Sequence, residues 1–80
     1  MNIRVEIQPW IIRALSDCGG HATITAVAKH IWEHHEKELR SNEDIFFNWQ
    51  YEMRWAAGAL RKRHKIAPVK NYERGSWGLP

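Results

Sequence analysis

The sequence predicts an α+β domain built from three helices, one short strand and a C-terminal β-hairpin. Apolar residues recur at helical spacing in three separate runs, with Gly19-Gly20 and the polar stretch RSNED dividing them. After His64 that period is lost, and two short apolar stretches flank a loop of turn-forming residues. A chain of 80 residues has room for one domain, 1–80. Its 44% hydrophobic and 26% charged content, with only 3 prolines, is that of a folded chain rather than a disordered one. The 5 tryptophans help so small a chain build a core, since each ring removes about 150–250 Å² from water when buried.

The first helix reads from QPWIIRALSDCGG. Pro9 suits a first turn, where its missing N–H costs nothing. Trp10, Ile11, Ala14, Leu15 and Cys18 repeat on one face, and Gly19-Gly20 ends the pattern. HATI is a brief extended segment leading to Thr25, the expected N-cap of the second helix. There Val27, Ala28, Ile31, Trp32 and Leu39 form the apolar side, with Glu33, Glu36, Lys37 and Glu38 facing water. Within RSNED, Ser41, Asn42 and Asp44 are all credible caps for the third helix.

That third helix is FFNWQYEMRWAAGALRKRHK, from Phe46 to Lys65, entered through Ile45. At about 100° per residue, Ile45, Trp49, Met53, Ala56 and Leu60 fall in one quadrant, the core face. Phe47, Tyr51, Arg54, Arg61 and Lys65 fall opposite, flanked by Gln50 and Lys62. Trp10, Trp32 and Trp49 are core by spacing, whereas Trp55 lies off the quadrant and is expected to pack with Trp77 beneath the hairpin. Arg63, on the core side near the helix end, can lay its stem over apolar surface and keep its charge wet. KIAPVK and SWGL, joined by NYERG, form the expected hairpin, with Pro68 making its strand an edge or placing that position on the solvent side. Helix, strand, helix, helix, hairpin is the order of a winged helix-turn-helix, in which the hairpin is the wing.

Charge is distributed unevenly. Residues 1–40 hold five Lys/Arg and five Asp/Glu, whereas from Arg54 onward seven basic residues face the single acid Glu73. The net charge of +3 therefore originates in the C-terminal half, which suggests a polyanionic partner, nucleic acid first among them. A lone cysteine, Cys18, forms no internal disulfide and points to a reducing compartment. No signal-peptide pattern and no run of about 18 apolar residues occurs, so the expectation is a cytoplasmic protein without a membrane partner.

The segments IIRALSDCGGHATITAV, WQYEMRWAAGALRKRHKI and RGSWGL resemble the N-terminal winged-helix domain of Mrr-type restriction endonucleases and related small bacterial winged-helix proteins, from about Pro9 to Leu79. The most distinctive elements are Arg54-Trp55-Ala56 followed by Leu60, then Arg74-Gly75 and Trp77. The resemblance implies a DNA-reading domain whose relatives cut through a separate nuclease domain. That domain is missing here, so no cutting activity is implied. The chain also carries His64 where the family usually has a glycine after the third helix.

Double-stranded DNA is accordingly the expected partner. Asn48, Gln50, Tyr51 and Arg54, in the first half of the third helix, are placed for base or sugar contacts, since Gln pairs with adenine edges and Arg with guanine. Arg61, Lys62 and Lys65 would contact phosphates, and Lys70, Asn71, Tyr72 and Arg74 would bring the wing to the flanking backbone. This describes a small transcriptional regulator or the DNA-reading part of a defence system; recognition of a modified base is a weaker reading allowed by the resemblance. The rival is a protein-interaction module on the same fold, with Phe47 and Tyr51 as anchors for a partner or a homodimer. No enzyme is expected, since no Glu is followed two residues later by Lys as the family's nucleases require, and neither Cys18 nor Ser16 has a nucleophile's context. His30, His34 and His35 in HIWEHH lack the H-E-x-x-H order, so neither a metal nor another cofactor is expected.

Overall fold

The computed structural model describes residues 2–80. Its order is α1 (Ile3–Asp17), β1 (His21–Thr23), α2 (Ile24–Arg40), α3 (Glu43–Lys62), one 3₁₀ turn (Val69–Asn71) and β2 (Ser76–Gly78). The fold is α+β and mostly helical, with a two-stranded antiparallel sheet.

α1 begins at Ile3 rather than at Pro9, which lies inside the helix. Ile3, Ile7 and Ile11 carry the buried stripe across the proline at four-residue spacing. Pro9 is on the exposed side and removes the amide that would bond the Val5 carbonyl. Val5 is 57% exposed, so water can take that place. Burial of the isoleucines thus outweighs a local helix-breaking signal. Cys18, expected on the apolar face, is exposed and caps the C-terminus.

Two helices end in the same way. Gly20 N–H donates to Leu15 O and Gly19 N–H to Ser16 O after α1; Lys65 N–H donates to Leu60 O and His64 N–H to Arg61 O after α3. Both are Schellman closures with a left-handed residue after the cap. In α1 this is Gly19 at φ +86°, and in α3 it is His64 at φ +59°. Lys65 therefore lies beyond the helix, not on its outer face.

α2 is capped by Thr23, whose Oγ1 accepts from Ala26 N–H at 3.0 Å, rather than by Thr25. Val27, Ile31 and Leu39 are its buried residues. On an unbroken helix Leu39 would lie about 120° around from Val27. A kink at His35 (φ −134°, ψ 23°) resets the rotation, where the imidazole stacks on Trp10 at 3.8 Å. Asn42 caps α3 by accepting from Asp44 N–H and Ile45 N–H. Trp49, Met53, Ala56, Ala57 and Leu60 form the buried face of α3, with Ile45 partly buried. Trp10 and Trp32 are partly buried against the core, and Trp49 is inside it. Trp32 stacks on Trp49 at 6.3 Å, and Arg40 lies 4.9 Å from the Trp32 ring.

The expected hairpin does not form as a ladder. β2 pairs with β1 instead, with His21 opposite Gly78, Ala22 opposite Trp77 and Thr23 opposite Ser76. KIAPVK supplies one backbone bond, from Ala67 N–H to Gly78 O at 2.8 Å. Pro68 then directs the chain into the 3₁₀ turn before a second rung can form. The segment is held by Ile66, which is buried in the core, and by Tyr72. The Tyr72 ring lies so close over Gly78 that a Cβ there would sit 2.2 Å from it. Its hydroxyl donates to Leu79 O at 3.0 Å.

Ile7→Ala is expected to cost about 2–5 kcal/mol in urea unfolding, whereas Val5→Ala stays within about 0.5 kcal/mol; equal small effects would mean that α1 starts later. His64→Gly is expected to stabilise by about 1 kcal/mol, since a left-handed conformation strains any side chain with a Cβ. A raised denaturation midpoint at constant m would establish it.

Candidate nucleic-acid interface

The helix geometry sorts the sequence-predicted residues into three groups. Gln50 and Arg54 line one side of an open groove between α2 and the first half of α3, with Thr25 and Lys29 opposite and Trp32, Phe46 and Trp49 as its apolar floor. Lys62 joins Arg54 and Arg63 around Trp55, Gly58 and Ala59 on the other flank of α3. Lys70, Asn71 and Arg74 are exposed on the segment between α3 and β2. That segment reaches the groove through the start of α2, because Gly75 O accepts from Ile24 N–H at 2.8 Å. Arg74 and Thr25 are therefore each one residue from the same hydrogen bond.

The remaining candidates are partly engaged within the chain. Asn48 is exposed, with its amide donating to Asp44 O at 3.0 Å. Tyr51 is 63% exposed and unencumbered. Arg61 is only half-exposed, and its Nε is buried without a partner. Tyr72, stacked on His21 at 5.6 Å and bonded to Leu79, is committed to the fold. Trp55 does not pack beneath the C-terminal segment with Trp77. It is 52% exposed, and the Arg4 guanidinium, which is ion-paired with Glu52, lies 4.1 Å above its ring. Arg63 donates to Gln8 Oε1 at 2.8 Å.

Ion pairing is segregated along the chain. Arg4 pairs with Glu52, Arg13 with Asp17 and Arg40 with Glu36. Among the described residues, none of Arg54, Arg61, Lys62, Lys65, Lys70 and Arg74 has a salt-bridge partner. Sequence reasoning missed Thr25 and Lys29 as members of the groove. Their signal was i, i+4 spacing at the start of α2, but Thr25 was assigned to capping.

The histidines are engaged with neighbours. His30 Nε2 is 2.9 Å from Asp17 Oδ2, and its ring stacks on His34 at 4.1 Å. His34 Nδ1 donates to His30 O, and His35 Nδ1 is 3.3 Å from Glu38 Oε2. Among the described residues, no group of three His, Cys, Asp or Glu is placed to hold a metal. The His30 hydrogen bond, aided by Arg13 and opposed by burial, holds the Asp17 carboxyl below its ordinary value of 3.8. A carboxylate depressed in this way stabilises the fold above its unfolded pKa, and that contribution is lost as pH falls through the folded value. Asp17→Asn should therefore lower the melting temperature at neutral pH, with the difference from the parent protein closing by about pH 2. A constant difference across the range would show that the carboxylate charge is not what links α1 to α2.

No helix among the described residues is long and apolar enough to cross a membrane. Comparison with protein-family models, with curated proteins and with solved structures gives no match.

Proposed function

We propose that the protein binds double-stranded DNA as a winged helix-turn-helix, acting as a small bacterial transcriptional regulator or DNA-reading module. The observation that carries this reading is the set of unpaired cations on the outer face of α3 and the following segment, in a molecule whose other half pairs most of its arginines internally. Unpaired cations gathered around one face are the electrostatic footprint of a polyanion site.

The connectivity supports the same reading. A helix, a short strand and two further helices, with a C-terminal strand returning beside the first, is compatible with winged-helix order, and in this reading the 3₁₀ turn and the Ala67–Gly78 backbone bond stand where a wing would be. In this reading the first half of α3 enters the major groove, with Gln50 and Arg54 toward base edges. Thr25 and Lys29 meet one phosphate strand, and Lys70, Asn71 and Arg74 meet the backbone on the far side of the α2 N-terminus. Lys62 and Lys65 add phosphate contacts. The Mrr-type resemblance fits a DNA-reading role for this domain. A protein-interaction surface is the second reading, favoured by the exposure of Phe47 (72%) and Tyr51 (63%).

Salt separates the two. Binding of a labelled duplex through about five phosphates should weaken with a log–log slope near −4.5. Lys62→Ala combined with Lys65→Ala should make the slope shallower by about 1.8. No duplex binding at low salt, or a double variant that binds like the parent protein, would overturn the DNA reading; an aromatic-anchored protein contact would hardly respond to salt.

A further inference from the structure

Phe47, Tyr51 and Trp55 follow one another at four-residue spacing on α3 and are 72%, 63% and 52% exposed. Each step of four residues rises about 6 Å and turns about 40°. The rings therefore form one slanted row, running from the α2 side of the helix to the α1 side. Three large aromatics in water at regular spacing are not accounted for by the core, which already holds Trp49 and Trp77.

The surroundings of the row narrow down its partner. Arg54, Lys62 and Arg63 border Trp55, and none of them has a salt-bridge partner among the described residues. Arg4, held by Glu52, lies over the same ring, 4.1 Å from its centroid. A second copy would bring the same positive charge to this face. The complementary partner is one that carries negative charge and offers flat π-faces.

We propose that this row is a stacking platform for unpaired nucleotides, so that the preferred target is single-stranded or locally opened nucleic acid. The inference rests on the nucleic-acid reading above and refines its substrate. A closed duplex keeps its base faces inside the stack and presents only edges in its grooves. An unpaired strand offers a face at every nucleotide, and aromatic side chains bordered by cations are how proteins hold such strands. The spacing agrees with this. Successive rings leave the helix about 6 Å apart along its axis and fanned by about 40°, whereas the bases of an undisturbed stack lie about 3.4 Å apart along a strand, so each ring takes its own splayed base. The ion pair of Arg4 with Glu52 holds a guanidinium plane on Trp55, which orients the ring before any strand arrives.

The test is titration of the full chain into a labelled oligothymidylate and a labelled duplex of equal length, read by anisotropy and by tryptophan fluorescence. The single strand is expected to bind at least as tightly as the duplex and to quench fluorescence, with Trp55→Leu losing part of the quench and weakening single-strand binding. Phe47→Ala and Tyr51→Leu should each lower the ratio of single-strand to duplex affinity by about tenfold, and Tyr51→Phe should leave it within about twofold. Duplex binding without single-strand binding, or equal losses on both probes, would overturn the platform and leave the duplex reading in place. Failure of both probes at low salt would end both readings. A concentration-dependent dimer by light scattering that Phe47→Ala makes monomeric would instead assign the row to self-association and overturn the proposal.

Discussion

The structure depends on how α3 divides its circumference. Its buried face is Trp49, Met53, Ala56, Ala57 and Leu60, and in a chain of 80 residues without a disulfide the fold rests on α1 and α2 both packing against this helix. Ile7, Ile11 and Leu15 of α1 are buried in the same cluster, and the small Ala56 and Ala57 leave room for close packing of the helices. Packing that face fixes the rotation of α3 about its axis. Every side chain on the opposite side is then aimed outward, including Phe47, Tyr51 and Arg54.

The aromatic richness of α3 therefore serves two purposes. Phe46 and Trp49 turn inward to meet Trp32, with Arg40 spread over Trp32 and Phe46, and this cluster joins the second half of α2 to the start of α3. Phe47, Tyr51 and Trp55 turn outward, where Phe47 keeps an edge contact with Phe46 at 5.0 Å and Trp55 is covered by the Arg4 guanidinium. The charges divide in the same manner. Pairs such as Arg4 with Glu52 and Arg13 with Asp17 tie helices together or brace a helix end, while Arg54, Lys62, Lys65, Lys70 and Arg74 are exposed. A surface of this kind lowers the fold's own stability slightly through self-repulsion and raises its attraction for an anionic partner.

The C-terminal segment shows how a very small sheet is stabilised. Two three-residue strands would be marginal by themselves. Trp77 anchors β2 in the core, Gly78 admits the Tyr72 ring, and backbone bonds from Leu79 to Gly20 and from Ile24 to Gly75 extend the pairing at both ends. The second bond also positions Arg74 beside the start of α2. A structural contact thus places a candidate binding residue.

The apolar faces of α2 and α3, the Asn42 cap and the break after α1 were legible in the sequence because each is a local matter of period or of one residue's conformational preference. His64 was legible as the departure from glycine, and the excess of positive charge after Arg54 was legible from composition. Other features depended on partners distant in sequence. Pro9 looked like a helix start, yet Ile3 and Ile7 gain enough by packing on α3 to extend the helix through it. KIAPVK looked like a strand, but β1 was the better partner for SWGL. Trp55 looked set to pack with Trp77 beneath the hairpin, and only the meeting of α1 with α3 placed Arg4 over it in water. Residue types and their spacing determined which segments are helical and which half is cationic. The tertiary structure alone decided where α1 begins, which strands pair and which rings stay outside, because burial is shared between surfaces and no single segment encodes both.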